Sequence, residues 1–527
     1  YSLTPEDFVY FVSILKQFSD TFGTKNCWCL KRVLKRQVQH FSTSHSTRPL
    51  FKRTDARPLV LAAAGRYLRR LADEIGDLQG SRGGPLLMLQ FENEYGSFGR
   101  DLDYLDALQE LYREAGFDAP LYTADGGEAP LFDGGARPSL PAVVNFGGDV
   151  AEASAAFEAL AAFRPDGPRM AGEYWCGWFD HWGEAHHQSA AAQDAATVEW
   201  MMSRGHSFNL YMVHGGTSFG WLPGANSSKD EPYQPDTTSY DYDAPVDEAG
   251  RVTPKFHAIR DAIARHLPRG EPLPPLPADV PTQTINAFPL VPVADLAWIL
   301  AHCSEVVHSA IAYPMEHYGQ SYGYIVYRTV LKRQFRGELH LGEVRDEVQV
   351  FLDGQEVGAL SRRQGPASLH LEWRAGQVLD LLCENTGRVG FGARFPEESK
   401  GLVRSVRAGE EVLTDWTVYP LPLTATEALR SAPVLAAVRG PSFWRGAFTA
   451  SAHGGTFLKT VGWGRGHLWV NGRHLGRFWD LPPQGSLYLP GDWLRPDGNE
   501  VLLFSCAPRA GKPVLAGLAD PLYLPPQ

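Results

Sequence analysis

Residues 83–96 read Gly-Gly-Pro-Leu-Leu-Met-Leu-Gln-Phe-Glu-Asn-Glu-Tyr-Gly, and this stretch sets the first expectation for the fold. Gly84-Pro85 is a break, and the apolar run over residues 86–89 is typical of a strand that is buried on both faces. The run ends in Glu92-Asn93-Glu94, where two carboxylates flank an amide. Reactive side chains of α/β proteins lie at the carboxyl ends of such strands. Taken alone, however, the pattern favours two solvated glutamates in an ordinary loop.

A second stretch, residues 169–183, repeats this arrangement as Arg-Met-Ala-Gly-Glu-Tyr-Trp-Cys-Gly-Trp-Phe-Asp-His-Trp-Gly. Here Glu173 follows a short apolar lead, and Trp175, Trp178 and Trp182 come directly after it. The tryptophans would serve as core residues, but aromatic rings beside a carboxylate also form the floor of a sugar subsite. Two carboxylates on different strands of one barrel are the minimum machinery for glycoside hydrolysis. The second stretch therefore makes Glu94 and Glu173 a candidate catalytic pair.

At these residues the sequence resembles glycoside hydrolase family 35, the retaining β-galactosidases. The two stretches are similar to the family's motifs at the fourth and seventh barrel strands. Residues 212–220, Met-Val-His-Gly-Gly-Thr-Ser-Phe-Gly, are similar to its eighth-strand motif. The resemblance implies four site residues: Glu94 as general acid/base, Glu173 as nucleophile, Asn93 as the ligand of the sugar 2-hydroxyl, and Tyr242 as a contact of the galactose ring.

The same resemblance implies a multidomain chain that combines α/β and all-β parts. Residues 51–266 are expected to form a (β/α)8 TIM-type barrel that lacks its first three strands. Apolar stretches at residues 120–123 and 142–145 predict two of the five strands that can be recognised. Leucines at helical spacing from Leu102 to Leu111 predict a helix that stops at Gly116.

Residues 1–50 differ from the rest of the chain. They contain no alanine and a single glycine, although the whole chain has 53 glycines. We interpret this segment as foreign or locally rewritten sequence, and it is too short for three strand–helix units of roughly 25–35 residues each. We therefore expect that it does not complete the barrel, that the cleft is open on that side, and that the chain is poorly soluble and weakly active or inactive.

The C-terminal half has the pattern of short strands. Residues 267–282 form a proline-rich linker, which is typical of a domain boundary. Beyond it, Asp353-Gly354 and Asn471-Gly472 each stand between apolar runs, which predicts two hairpins with type I′ turns. By resemblance, residues 283–424 and 425–527 are expected to be two jelly-roll, galactose-binding-like β-sandwiches, whose aromatic residues are read as core rather than as a lectin site.

Composition narrows the classes of partner. The chain has 527 residues and a net charge of −11, so nucleic acid is not expected as a partner. No apolar run reaches the length of a membrane span, and the six cysteines are scattered without a disulfide or zinc pattern. No signal peptide is recognised, and the compartment stays unassigned. Whether a homo-oligomer supplies what the barrel lacks also stays open.

The predicted function is that of a retaining exo-β-galactosidase, which releases terminal non-reducing β-D-galactose by double displacement. The carboxyl groups of Glu94 and Glu173 should then face each other at the retaining separation of about 5–5.5 Å. Glu92 ranks second as the acid, and no metal or organic cofactor is needed. The alternative is a catalytically inactive remnant that serves as a carbohydrate-binding or structural β-sandwich protein.

Overall fold

The computed structural model describes residues 53–227, 233–268, 273–276, 278, 280–364, 368–391, 398–424, 426–451, 453–507 and 512–526. The expectations for residues 1–50 lie outside this set, as does part of the predicted linker. Within the described residues, no helix has both the length and the apolar character that crossing a membrane requires.

The first half of the described chain alternates strands and helices. Its elements are α1 (Arg53–Ile75), β1 (Leu89–Gln90), α2 (Tyr95–Phe98), α3 (Leu102–Glu114), β2 (Leu121–Gly126), α4 (Ala129–Gly135), β3 (Ala142–Gly147), α5 (Val150–Phe163), β4 (Met170–Trp175), α6 (Ala191–Ser203), β5 (Ser207–Tyr211), β6 (Ala225–Asn226), β7 (Gln234–Pro235) and α7 (Pro254–Ala264). Strands β1 to β5 form one sheet in chain order, and each neighbouring pair is parallel.

Local sequence signals account for most of these elements. Helix α3 begins where the Asp101 side chain accepts a hydrogen bond from Tyr104 N, and the chain turns away at Gly116, whose φ is +95°. The predicted helix and the strands at residues 120–123 and 142–145 are therefore confirmed. The first strand differs from the prediction, because it is confined to Leu89–Gln90 and the side chain of Leu87 is 73% exposed.

The two faces of this sheet have different neighbours. On strand β3, Val144 and Phe146 pack with helical residues such as Phe157 in one large core. Val143 points to the opposite side, where it packs with Tyr122 and two further side chains, Ala124 and Met170. We call this second side the inner face, and because side chains alternate along a strand, Asn145 belongs to it with Val143.

The second half is rich in strands. Its elements are β8 (Ile285–Asp295), α8 (Leu296–His302), β9 (Val307–Ser309), β10 (Tyr324–Val330), β11 (Phe335–His340), β12 (Val344–Arg345), β13 (Glu347–Leu352), β14 (Gln355–Ser361), β15 (Ser368–Trp373), β16 (Val378–Glu384), β17 (Val389–Phe391), β18 (Gly401–Leu402), β19 (Arg407–Ala408), β20 (Glu411–Val412), β21 (Trp416–Leu421), α9 (Glu427–Arg430), β22 (Ser442–Phe448), β23 (Thr456–Lys459), β24 (Arg465–Val470), β25 (Arg473–Trp479), β26 (Ser486–Leu489), β27 (Asn499–Ser505) and β28 (Val514–Leu518).

These strands form two packed units. In the first, a six-stranded sheet (β14-β13-β16-β10-β21-β9) packs on a four-stranded sheet (β15-β11-β19-β20) around one core. The second is built on an eight-stranded sheet (β25-β24-β27-β22-β8-β28-β23-β26). The expected boundary at residue 283 assigned β8 to the first sandwich, whereas the structure pairs it with β22 and β28 of the second. That pairing joins residues far apart in sequence, which a composition change at a linker does not reveal.

Both predicted hairpins are confirmed. Strands β13 and β14 pair up to Leu352 and Gln355, and strands β24 and β25 pair up to Val470 and Arg473. The intervening residues all have positive φ, at 47° for Asp353, 77° for Gly354, 53° for Asn471 and 77° for Gly472. Positive φ at both central residues is what a type I′ turn requires.

A buried ionic cluster joins the first sandwich to the α/β region. Lys400 Nζ lies 2.9 Å from Asp346 Oδ2 and 2.8 Å from Glu398 Oε1, and Arg362 Nη1 lies 2.6 Å from Glu398 Oε1. The hydroxyl of Tyr233, which precedes β7, lies 3.1 Å from Asp346 Oδ2. We call Lys400, Asp346, Glu398 and Arg362 the Lys400 network. The side chains of Lys400 and Asp346 are fully buried.

Candidate active site

Glu94 lies in the turn between β1 and α2, at the carboxyl end of the first strand. Its backbone has φ 50° and ψ 39°, a left-handed conformation that non-glycine residues rarely adopt. Glu94 N donates a hydrogen bond to the carbonyl oxygen of Ala124 on β2, at 3.0 Å. This bond fixes the turn against the next strand and therefore sets where the Glu94 side chain starts.

Asn93 is held from the strand that precedes it. Gln90 Nε2 lies 2.9 Å from Asn93 Oδ1 and 3.0 Å from the carbonyl oxygen of Glu92. The strand itself ends at Gln90, so the alternation that would place Glu92 and Glu94 on one face does not extend to them. The Tyr104 hydroxyl on α3 donates a hydrogen bond to Glu92 Oε1.

Glu173 owes its direction to a β-bulge in strand β4. Against β3, Val144 pairs with Ala171 and Asn145 pairs with Glu173, so Gly172 is an extra residue on β4. Ala171 packs in the helical core with Tyr174, whereas a Cβ atom on Gly172 would lie 2.6 Å from Val143 Cγ2 on the inner face. The bulge therefore needs glycine at 172 and shifts the alternation at the next residue, Glu173.

The Glu173 carboxylate is buried and receives a neutral donor. Its residue is 6% exposed, and Trp175 Nε1 donates a hydrogen bond to Glu173 Oε2 at 2.8 Å. An indole N–H is a donor only, so Glu173 Oε2 is the acceptor in this contact. Trp175 therefore orients the carboxyl group of Glu173, the candidate nucleophile.

Asn145 connects the two candidate carboxylates. Its Nδ2 donates a hydrogen bond to Glu94 Oε1 at 3.0 Å, across 51 residues of chain. Its Cα is the register partner of Glu173 on the neighbouring strand, and adjacent strands lie about 4.8 Å apart. Glu94 is therefore hydrogen-bonded to a residue that pairs, through its backbone, with Glu173.

Asp125 supports the Glu94 turn from below. Asp125 Oδ1 accepts a hydrogen bond from Gly96 N at 2.9 Å, in the first turn of α2. The pKa of Asp125 is raised to about 7, chiefly because the group is buried; the Gly96 bond acts to lower the pKa, and the charges of Glu94 and Glu92 act to raise it.

Tyr242 lies in an aromatic group beyond the ends of β4 and β5. It packs with Phe179, Tyr211 and Tyr240, and its ring centroid lies 6.3 Å from that of Trp178. Trp178 in turn lies 5.4 Å from Trp175, the donor to Glu173. The backbone approaches closely here, because a Cβ atom on Gly177 would lie 1.8 Å from the carbonyl oxygen of Tyr242. One aromatic ring, that of Trp178, therefore lies between Tyr242 and Trp175.

Within the part of the chain that the structure describes, no group of three or more His, Cys, Asp or Glu side chains is arranged to hold a metal ion.

Comparison with known proteins places this chain. A model of glycosyl hydrolases family 35 matches residues 47–266. A β-galactosidase of Xanthomonas manihotis is 45% identical over 436 residues, which cover 82% of this chain and 71% of that protein. The chain belongs to glycoside hydrolase family 35.

Other matches extend over the strand-rich half of this family 35 protein. The first all-β domain of β-galactosidases matches residues 313–422, and their galactose-binding domain matches residues 441–499. The β-galactosidase-1-like protein 3 of Rattus norvegicus is 35% identical over 457 residues, covering 84% of this chain and 70% of that protein. The crystal structure of a Bacteroides uniformis β-glucuronidase covers 87% of this chain and 56% of its own at 9% identity, but its TM-score of 0.27 is too low to support an inference.

Sequence reasoning missed two residues of the candidate site, Asn145 and Asp125. Asn145 lies within the run Ala-Val-Val-Asn-Phe, and a polar residue near the end of an apolar strand was the available signal. Asp125 likewise ends the apolar stretch of β2. Both follow the rule that had drawn attention to Glu94 and Glu173, namely that polar side chains at strand ends meet at one edge of the sheet.

Proposed function

We propose that this chain is a retaining exo-β-galactosidase that removes terminal non-reducing β-D-galactose. One observation supports the proposal: Glu94 accepts a hydrogen bond from Asn145, and the Cα of Asn145 is the register partner of Glu173 on the neighbouring strand. Its relatives in family 35 include proteins named β-galactosidase. A pair of carboxyl groups across a sugar-sized cleft is the arrangement that glycoside hydrolysis requires.

In the proposed first step, a Glu173 oxygen attacks the anomeric carbon while the bond from that carbon to the leaving oxygen breaks. Glu94 gives its proton to the leaving oxygen, so the aglycone departs as an alcohol and Glu94 becomes a carboxylate. The hydrogen bond from Trp175 orients the Glu173 carboxyl group before the attack. The product of this step is a galactosyl ester of Glu173.

In the second step, a water oxygen attacks the anomeric carbon and the ester bond to Glu173 breaks. One proton of the water passes to Glu94, which restores the starting charges of both residues. Two inversions at one carbon give net retention. Asn93 is proposed to bind the sugar 2-hydroxyl, and Tyr242 is proposed to contact the galactose ring.

We further propose that β1 to β5 correspond to strands four to eight of a (β/α)8 barrel within residues 51–266. The two strand-rich units would then be jelly-roll sandwiches, with domain ranges near 283–424 and 425–527 except that β8 joins the second. The parallel order of β1 to β5 supports this assignment. The expectation that residues 1–50 leave the barrel incomplete stays a prediction, and so does the alternative of an inactive remnant.

The test is hydrolysis of 4-nitrophenyl β-galactoside by the whole purified chain, followed by proton NMR of the sugar released first. The proposed function requires turnover, even if it is weak, with β-galactose appearing before its α-anomer. The Glu173→Gln variant and the α-linked substrate serve as controls, and neither should give product. First release of α-galactose would exclude the retaining mechanism. A folded chain without turnover would favour the inactive remnant.

A further inference from the structure

We infer that Asn145 is a positioning residue that decides which oxygen of Glu94 carries the catalytic proton. This inference rests on the proposed function, because it assigns a role to the partner of the proposed acid. It concerns a side chain that neither the motifs nor the family resemblance singled out. Asn145 acts through Glu94.

The placement of Asn145 is fixed on both sides by strands. Its backbone is paired with Gly126 on β2 and with Glu173 on β4, in the middle of the five-stranded sheet. The residue is 2% exposed, and its Nδ2 lies 3.0 Å from Glu94 Oε1. A side chain anchored in the centre of a sheet has little freedom to follow its partner, so Glu94 must adapt to it.

The amide is also incompletely satisfied. Asn145 Oδ1 is buried and has no hydrogen-bond partner among the residues that the structure describes. An unpaired buried acceptor costs free energy, on the order of 1–3 kcal/mol, and therefore calls for an explanation. A role for the Nδ2 donor in catalysis supplies one, because a smaller apolar residue would avoid the cost but would leave Glu94 Oε1 without this contact.

The chemistry of the contact favours one location for the proton. An amide N–H donates and does not accept, so the oxygen that faces it must offer a lone pair. Glu94 Oε1 can do so as part of a carboxylate and equally as the carbonyl oxygen of the protonated acid. The proton of the acid is thereby directed to Oε2. The same contact then serves both steps, since Oε2 donates to the leaving oxygen first and accepts from water afterwards.

Other titratable groups surround this pair. Glu92 lies in the same turn and receives the Tyr104 hydroxyl, Asp125 lies beneath the turn on β2, and Glu173 is the register neighbour of Asn145 on β4. These are all carboxyl groups, and none of them has a hydrogen-bond donor when it is ionised. The amide of Asn145 distinguishes the two oxygens of Glu94 through a directional bond.

The decisive variant is Asn145→Asp, which keeps the shape and replaces the donor with an acceptor. The new carboxylate would share the Glu94 proton at Oε1, away from the leaving group. We expect kcat/KM for phenyl β-galactoside to fall by about 100-fold, while kcat/KM for the activated 2,4-dinitrophenyl β-galactoside falls less than about 5-fold. The basic limb of the pH profile should also move to higher pH, because two adjoining carboxyls hold their last proton more tightly.

Two further variants separate positioning from folding. Asn145→Ala removes the donor without adding a charge, so the same selective loss should appear at about 10-fold. Asn471→Asp makes the same amide-to-carboxyl change in the second sandwich, where Nδ2 donates to Asn499 Oδ1 at 2.8 Å. It should lower stability and leave the ratio between the two substrates unchanged. Equal losses on both substrates in the Asn145 variants would overturn the inference.

A separate readout keeps this inference distinct from the proposed function. If the wild-type chain hydrolyses no β-galactoside, the proposed function fails, and the contact is then judged by carbon-13 NMR of carboxyl-labelled glutamates. The Glu94 signal, identified by its loss in Glu94→Gln, should titrate at higher pH in Asn145→Asp than in the wild type. An unchanged titration would exclude any influence of Asn145 on the Glu94 proton.

Discussion

The candidate site and the Lys400 network both hold buried or half-buried carboxylates, but the hydrogen-bond donors that contact those carboxylates differ. In the site, Glu94 accepts from the Asn145 amide and Glu173 from the Trp175 indole, which are neutral donors. In the network, Arg345 Nη1 lies 3.5 Å from Glu398, and two cations lie closer to it, Lys400 and Arg362. Burial acts to raise the pKa of Glu398, but these two cations prevail and lower it to about 2.

The difference shows how one chain uses burial for two purposes. A cation beside a buried carboxylate fixes the charged form and makes the pair a structural unit. A neutral donor orients the carboxyl and leaves its protonation open to change. A residue that transfers a proton needs a neutral donor beside it, whereas a contact between domains tolerates a carboxylate that is fixed in its charged form by a cation. The following substitutions test this contrast from both sides.

The largest effect is expected on the site side, from Glu173→Gln. The amide keeps the shape of the side chain but is a far weaker nucleophile, so kcat on every β-galactoside should fall by about 10⁴-fold or more. Steady-state kinetics with 4-nitrophenyl and phenyl β-galactoside checks this, and the thermal midpoint should stay close to that of the wild type. Substantial residual turnover would remove Glu173 from the mechanism.

Glu94→Gln should give a smaller and selective loss. Substrates with poor leaving groups need the proton, so their kcat/KM should fall by about 10²–10⁴-fold, whereas activated aryl galactosides should be far less affected. Azide, which attacks without proton removal, should restore turnover of activated substrates and give β-galactosyl azide. Equal losses across the substrates would reverse the roles of Glu94 and Glu173, or point to Glu92.

On the network side, Lys400→Met should reduce stability rather than chemistry. It leaves Asp346 and Glu398 buried with less compensating charge, which costs about 3–5 kcal/mol. The matched control is Lys332→Met, since Lys332 pairs with Asp415 while both side chains are 66% exposed, and its effect should be below about 1 kcal/mol. Chemical denaturation measures both. Similar losses from the two substitutions would contradict the structural role of the network.

Asp125→Asn should produce the smallest effect, seen in the pH dependence of stability. The folded-state pKa of Asp125 is raised to about 7 from 3.8, so its contribution is fully present below pH 3.8 and is lost as the pH rises through about 7. The variant lacks this titration. The wild type should therefore lose more stability between pH 4.5 and 8 than the variant, by on the order of 1–3 kcal/mol. Parallel urea denaturation profiles would contradict the assignment.

Sequence patterns predicted the elements whose cause is local. Asp353-Gly354 and Asn471-Gly472 specify their turns through backbone preferences, and the hairpins followed. The spacing of leucines predicted α3 for the same reason. The bounds of strand β1 were not predicted correctly, because an apolar run indicates which residues favour burial but not which of them pair with a neighbouring strand.

The contacts that depend on register were not predicted. The bond from Asn145 to Glu94 and the pairing of β8 with the second sandwich both join distant parts of the chain. The bulge at Gly172 was not predicted either, although it controls the direction of Glu173. A single extra residue changes which side chains share a face, and sequence periodicity cannot locate it when both faces of the strand are buried.

Gln484 has a consequence for any attempt to shorten this protein. Its Oε1 accepts hydrogen bonds at 3.0 Å from both Thr238 N and Ser239 N, in the segment that leads to Tyr242. The second sandwich is therefore a scaffold for part of the proposed sugar-binding loop, as well as an appended module. A version trimmed after α7 would keep both glutamates but would lose the two hydrogen bonds from this loop to Gln484. Exchange of the C-terminal half between family members should keep the loop in place only where a side chain equivalent to Gln484 accepts these two hydrogen bonds.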